Sequence, residues 1–170
     1  MLIVVFASVY LFIPSRLIIR EAGSAQCSFA AAKRFIFEER NHSAWKSTGS
    51  SDSLQPEDDK WNYRVTNTFY TKTDIIIACG DESHKTVIQL IPYNVDSTGI
   101  IWSDTVYTGN NPFSRINEYI RARRLKQHMA TNAERLLTFL NDKEKIYSSN
   151  IVKEQLKDIP LIARLVLLNS

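Results

Sequence analysis

The chain has 170 residues, 44% of them hydrophobic and 23% charged. That suits one domain with a real core, is too little for two full ones, and excludes bulk disorder. Five Gly, five Pro and two Cys exclude collagen-like, coiled-coil and disulfide-scaffold classes. A formal net charge of +3 carries no nucleic-acid signature.

Residues 1–13, MLIVVFASVYLFI, carry no charge. A membrane-spanning helix needs about 20 apolar residues, so this run is short of one. Its length fits the apolar region of a signal peptide, but no basic residue precedes it and no A-x-A site follows. The expectation is the tail of an N-terminal hydrophobic anchor, with a buried first strand as the alternative.

Ser15 to Ala22 reads as a strand, and Ser24 to Ser28 as a turn that ends on an N-cap serine. Phe29 to Glu38 reads as a helix with Phe29, Ala32, Phe35 and Ile36 on one face. Asn41-His42-Ser43 breaks it. Ser47 to Asp59 is a polar loop, a length that is usually functional or mobile. Strand-like blocks then follow at Trp61–Tyr70, Asp74–Cys79, His84–Pro92 and Ile100–Thr108. Turns are expected at Lys72–Asp74, Gly80–Ser83 and Asn94–Gly99, making an antiparallel meander. In the first block Trp61, Tyr63, Val65 and Asn67 share a face.

After Asn110-Asn111-Pro112, apolar residues recur every three or four positions from Ile116 through Tyr119, Ala122, Leu125, Met129, Ala133, Leu136 and Leu137 to Leu140. This predicts a long amphipathic helix from near Phe113, whose stripe must cover one face of the sheet. Residues 150–170 alternate as a strand, break at Pro160, and continue as a second apolar run.

The order strand, helix, meander, long helix, together with SAQCSFAAAKRFIFEERNHSAW at Ser24–Trp45, resembles the START-like superfamily of polyketide cyclase/dehydratase and lipid-transfer proteins. Phe35 stands for the helix aromatic and Trp45 for the closing tryptophan. Glu39-Arg40 departs from the small or acidic residues usual there. The resemblance spans about residues 15–145 and rests mostly on element order. It implies an α+β helix-grip fold: a curved antiparallel sheet wrapped around a long C-terminal helix, with a cavity between them. More narrowly, the chain is similar to the first half of membrane-anchored bacterial proteins that continue into a gyrase-inhibitor-like effector-binding domain. That arrangement implies an anchor at 1–13, a helix-grip domain at 15–147, and the start of a second domain at 150–170.

Within such a cavity the candidate lining residues are Tyr63, Trp102, Asp104, Tyr119 and Met129, with Arg64 a further inward polar group. A buried tyrosine hydroxyl must find a partner, and a one-residue register slip would reverse every strand assignment. Cys27 and Cys79 are expected to be two thiols, with a single disulfide in an oxidising compartment as the alternative. His84 is placed opposite Cys79 across the turn, a surface hairpin pair rather than a nucleophilic dyad. His128 reads as a packing or solvent residue. RARRLK at 121–126 reads as a solvated helix face pairing with Glu118, or as a contact for anionic lipid.

No nucleotide-binding, hydrolase or zinc-protease motif is present, so no catalytic residue, metal or cofactor is expected. The leading expectation is a non-enzymatic module that binds a small hydrophobic ligand or lipid, membrane-associated through its N-terminus, with a cytoplasmic location as the alternative. No nucleic-acid partner is expected, and the sequence leaves the oligomeric state open. A cyclase/dehydratase-type enzyme pairing Asp104 with Tyr63 in the same cavity, and a sensory or interaction module without a ligand, are the other readings.

Overall fold

The computed structural model describes residues 9–46 and 61–147. The loop at 47–59, most of the N-terminal apolar run, and the segment at 150–170 lie outside the described residues. Residues 9–12 are helical, and the chain then enters strand β1, Arg16–Ala25. Helix α1, Phe29–Phe37, starts where Ser28 stands in extended backbone and its hydroxyl accepts from the Ala31 amide. A two-turn 3-10 segment, Glu39–Ala44, follows where a simple break was expected.

His42 holds that segment in place. Its side chain is buried and its Nε2 lies 2.7 Å from the Ile36 carbonyl, so the tautomer that donates there is the one the fold selects. Burial pushes the imidazole below its ordinary value, against the Ile36 carbonyl and Glu39, which favour the charged form. A folded-state pKa below the unfolded one gives stability that is present above about pH 6.5 and is lost as pH falls below it. The melting temperature of the wild type should therefore drop between pH 7.5 and pH 5, and His42→Gln should flatten part of that slope. An unchanged slope in the variant would assign the acid sensitivity to other groups.

Strands β2 (Asn62–Thr68), β3 (Lys72–Cys79), β4 (Glu82–Asn94) and β5 (Ser97–Tyr107) form the meander, and β1 adds beside β5. The order across the sheet is β1-β5-β4-β3-β2, antiparallel throughout. The strands run further into the expected turns than their polar residues suggested. β3 begins at Lys72, the β3–β4 hairpin needs only Gly80-Asp81, and the β4–β5 turn is Val95-Asp96. Gly80 takes φ +56°, the left-handed conformation that a two-residue hairpin requires and glycine adopts without strain. A bulge at Thr66 also re-aims β2. Val65 pairs with Ile75, but Asn67 pairs with Asp74 and leaves the face expected for it, donating instead to the Asp74 carboxylate.

The long helix α2, Pro112–Asn141, starts with Asn111 as N-cap, its side-chain oxygen accepting from the Phe113 and Ser114 amides, and Pro112 in the first turn. A short helix α3, Lys143–Tyr147, ends the described chain. The buried line of α2 is Arg115, Ala122, Leu125, Met129, Asn132, Leu136 and Leu140. At the N-terminal end this differs from the apolar stripe, because Arg115 rather than Ile116 faces inward. Its guanidinium donates to the Gly109 and Ile13 carbonyls and lies over the Tyr10 ring, pinning the N-terminal segment to the start of α2.

α2 crosses β1 closely at Gly23, where a Cβ would stand 2.3 Å from Leu137. The core between sheet and helix contains Ile36, Ile75, Ile77, Ile88, Leu90, Trp102, Leu125 and Met129. No disulfide joins Cys27 and Cys79. Cys27 is buried, and that burial pushes its thiol up. Among the described residues no helix is long and apolar enough to cross a membrane.

Candidate functional site

The inner face of the sheet follows from strand alternation. β5 turns Ile100, Trp102, Asp104 and Val106 inward, and β1 sets Ile19 opposite Asp104 and Glu21 opposite Trp102. Trp102 is fully buried. Its indole N–H donates to the Thr86 hydroxyl at 3.0 Å, and its ring stands edge-on to Trp45 and tilted to Tyr63. Met129 is fully buried in the same core.

Asp104 is also buried. One carboxylate oxygen accepts from the Thr105 amide, and the other lies 3.6 Å from His84 Nδ1 with no hydrogen bond of its own. Burial raises its pKa, which the Thr105 amide and the His84 charge only partly oppose. His84 is therefore not the neighbour of Cys79. The tight hairpin pairs Cys79 with Glu82 and His84 with Ile77, and the imidazole reaches across to β5 instead. Two residues earlier on the same face, Glu82 receives Arg121 of α2 at 2.9 Å, and Arg121 also binds Glu118 at 3.0 Å. Part of the basic run is thus an ion-pair network rather than a free face.

Tyr63 belongs to a different group. Its hydroxyl is hydrogen-bonded to His128 Nε2, Trp61 stacks on that imidazole at 4.2 Å, and Asn132 donates to the His128 carbonyl. Burial pushes the Tyr63 phenol far above its ordinary value, so it stays protonated. Tyr63 on β2 bonds to His128, whereas Asp104 on β5 faces His84 and accepts from Thr105, so the two are engaged by different partners rather than by each other. Tyr119 stands on the flank of α2 and is 42% exposed, outside the interior, because the buried line passes through Arg115 and Ala122 instead. Arg64 points to the outer face of β2, opposite to Tyr63.

The space between sheet and helix opens as a cleft of about 270 Å³ on the β1 side of α2. Ile100, Trp102, Ala133, Leu136 and Leu137 form its apolar walls, and Glu21, Glu134, Thr138 and Asn141 add polar groups. Of the five candidate residues only Trp102 lines it. The glycine at position 23 is the signal for the close helix–strand crossing beside it, one that composition alone does not reveal. A larger, more open hollow of about 540 Å³ lies on the other flank of α2, bounded by Trp45, Arg135, Phe139 and Lys145. Its exposed, charged rim suits water better than an apolar ligand. Among the described residues no group of three or more His, Cys, Asp or Glu side chains could hold a metal ion.

A five-stranded antiparallel sheet with a long C-terminal helix laid across its inner face is the helix-grip arrangement, the START-like fold class expected from the sequence. The sequence matches no protein-family model and no curated protein. Solved structures share the fold. The Aha1 dimer from Colwellia psychrerythraea overlays with a TM-score of 0.53 at 11% identity, over 74% of this chain and 97% of that one. DynU16, from the dynemicin biosynthetic locus, overlays at 0.50 and 12% identity, over 74% of this chain and 47% of that one. A START superfamily protein from Mycobacterium smegmatis gives 0.46 at 12% identity, over 71% and 97%. At 11% and 12% identity the first two likenesses are of fold alone.

Proposed function

We propose that this chain is a binding module that holds a small hydrophobic molecule or lipid in the cleft between β1, β5 and α2, and that residues 1–13 tether it to a membrane. The observation that carries the first part is the cleft itself. It is walled by Ile100, Trp102, Leu136 and Leu137 and is continuous with the sheet–helix core. Such sites bind mainly by removing apolar surface from water, while a few polar groups orient the ligand. The Glu21 and Glu134 carboxylates beside the cleft favour a ligand whose polar head donates hydrogen bonds or carries positive charge. They disfavour a free fatty-acid carboxylate, which would meet like charge.

Dodecylamine and dodecanol should therefore displace an apolar fluorescent probe from the protein more effectively than dodecanoate. Ala133→Phe, which puts a ring into the cleft, should weaken probe binding at least tenfold while the circular dichroism spectrum is retained. Unchanged probe affinity in the folded variant would sink the cleft as the site. The cyclase/dehydratase reading gains no support from the geometry, because its acid–base pair is divided between two separate interior groups and neither lines the cleft.

A further inference from the structure

We propose that the end of the molecule where the N-terminal segment meets the start of α2 docks on a bilayer bearing anionic headgroups. This deepens the membrane half of the reading above and is independent of what the cleft holds. Soluble proteins rarely leave large side chains exposed side by side. Here Leu11 is 81% exposed, Phe12 77%, Phe113 69%, Ile120 53% and Ile116 39%. Phe113, Ile116 and Ile120 recur at helical spacing on the side of α2 that faces away from the sheet. Leu11 and Phe12 belong to the segment that Arg115 and Thr108 hold against this end through the Ile13 and Pro14 carbonyls. One end of the domain therefore presents apolar side chains from two separate stretches of chain.

The next turn of α2 continues with Arg123, Arg124 and Lys126, all exposed. Glu118 and Glu82, which lie against this helix, are engaged by Arg121. An apolar tip followed by a basic collar matches the layering of an anionic bilayer, with acyl chains beneath negative headgroups. A second copy of this chain is the poorer occupant, since a symmetric pairing of this face brings two basic collars together. The uncharged run at residues 1–13 leads into the same end, so a tether and a docking face would act on one membrane.

The test is sedimentation of the full chain with phosphatidylcholine vesicles, with and without phosphatidylglycerol. Tighter binding to the phosphatidylglycerol vesicles is expected, weakening as salt is raised. The triple variant R123Q/R124Q/K126Q should lose about 100-fold of that affinity, because each basic residue at an anionic surface contributes roughly fivefold. Phe113→Ser combined with Ile116→Ser and Ile120→Ser should weaken binding to both vesicle types. All six side chains are exposed, so the circular dichroism of both variants should match wild type. Folded variants that bind as wild type does would overturn the docking face while leaving a tether through 1–13 standing. A concentration-dependent dimer that either triple variant abolishes would assign the face to a second copy and overturn the proposal. Failure of the wild type to bind either vesicle would overturn both the docking face and the tether.

Discussion

Trp102→Ala is expected to cost this domain roughly 3–5 kcal/mol, the range for removing a buried aromatic from a packed core. Globular domains of this size are stable by only about 5–15 kcal/mol, so the variant should sit near the edge of folding. Three effects add. The indole is fully buried on the inner face against Trp45 and Tyr63, so its removal leaves a cavity there. Its N–H is satisfied by Thr86, whose own hydroxyl donates to the Ile75 carbonyl, so truncation also removes a partner from a buried polar chain. The same ring walls the cleft, so the change enlarges the proposed binding space. Urea unfolding should show a large fall in midpoint with little change in slope, and Trp102→Phe should recover part of the loss. A midpoint within experimental error of wild type would mean that Trp102 is not packed as described.

Asp104→Asn is expected to act in the opposite direction, stabilising the domain by about 1–2 kcal/mol at pH 7. Burial is the main reason that the carboxyl of Asp104 titrates above its ordinary value. Its folded-state pKa then exceeds that of the unfolded chain, so the native state holds this proton more tightly. The stability it contributes is fully present below the unfolded value near 3.8 and is lost as pH rises through the raised one. This is opposite in sign to His42, whose contribution is lost on acidification. An amide keeps the acceptor for the Thr105 N–H, adds a donor toward His84, and carries no charge to desolvate. Thermal melts of wild type and variant from pH 4 to 8 should converge at the acid end and separate toward neutrality. A variant less stable than wild type at pH 7 would show instead that the His84–Asp104 ion pair outweighs the cost of burying the charge.

Much of the architecture was legible in local chemistry. Ser28 before an apolar periodic run, and Asn111-Pro112 before another, are capping signals that do not depend on tertiary context, and both helices start there. The meander was legible from alternation. Its turn boundaries were not, because Thr73, Asp74, Thr98 and Gly99 look like turn residues yet sit in ladders, where their backbones pair and two of the side chains bond inward. The extra residue at Thr66 has no sequence signature, and it alone moves Asn67 to the other face.

The interior polar groups were the least legible part. Residues two apart on one strand share a face, so Trp102 and Asp104 could be placed together, but their cross-strand neighbours depend on the length of the hairpin turn. A two-residue turn in place of a four-residue one takes His84 away from Cys79 and toward Asp104. An apolar stripe cannot announce that Arg115 and Asn132 occupy buried positions: Arg115 is held by carbonyls that precede the helix, and Asn132 by the His128 carbonyl one turn earlier in it.

The pairing of β1 with β5 has a consequence for how the molecule is made. Residue 16 lies opposite residue 107, so β1, made before the other four strands of the sheet, waits for the last of them before it has its hydrogen-bonding partner. Strands β2 to β5 meet through short hairpins and can assemble early, whereas β1 and the α1 segment behind it must close a loop that includes nearly the whole domain. Until then the apolar side of β1, with Leu17 and Ile19, has nothing to cover it. Synthesis therefore passes through a stage in which an unpaired strand edge is presented to the cell, and a tether that held the N-terminus at a membrane would also keep such nascent chains apart from one another.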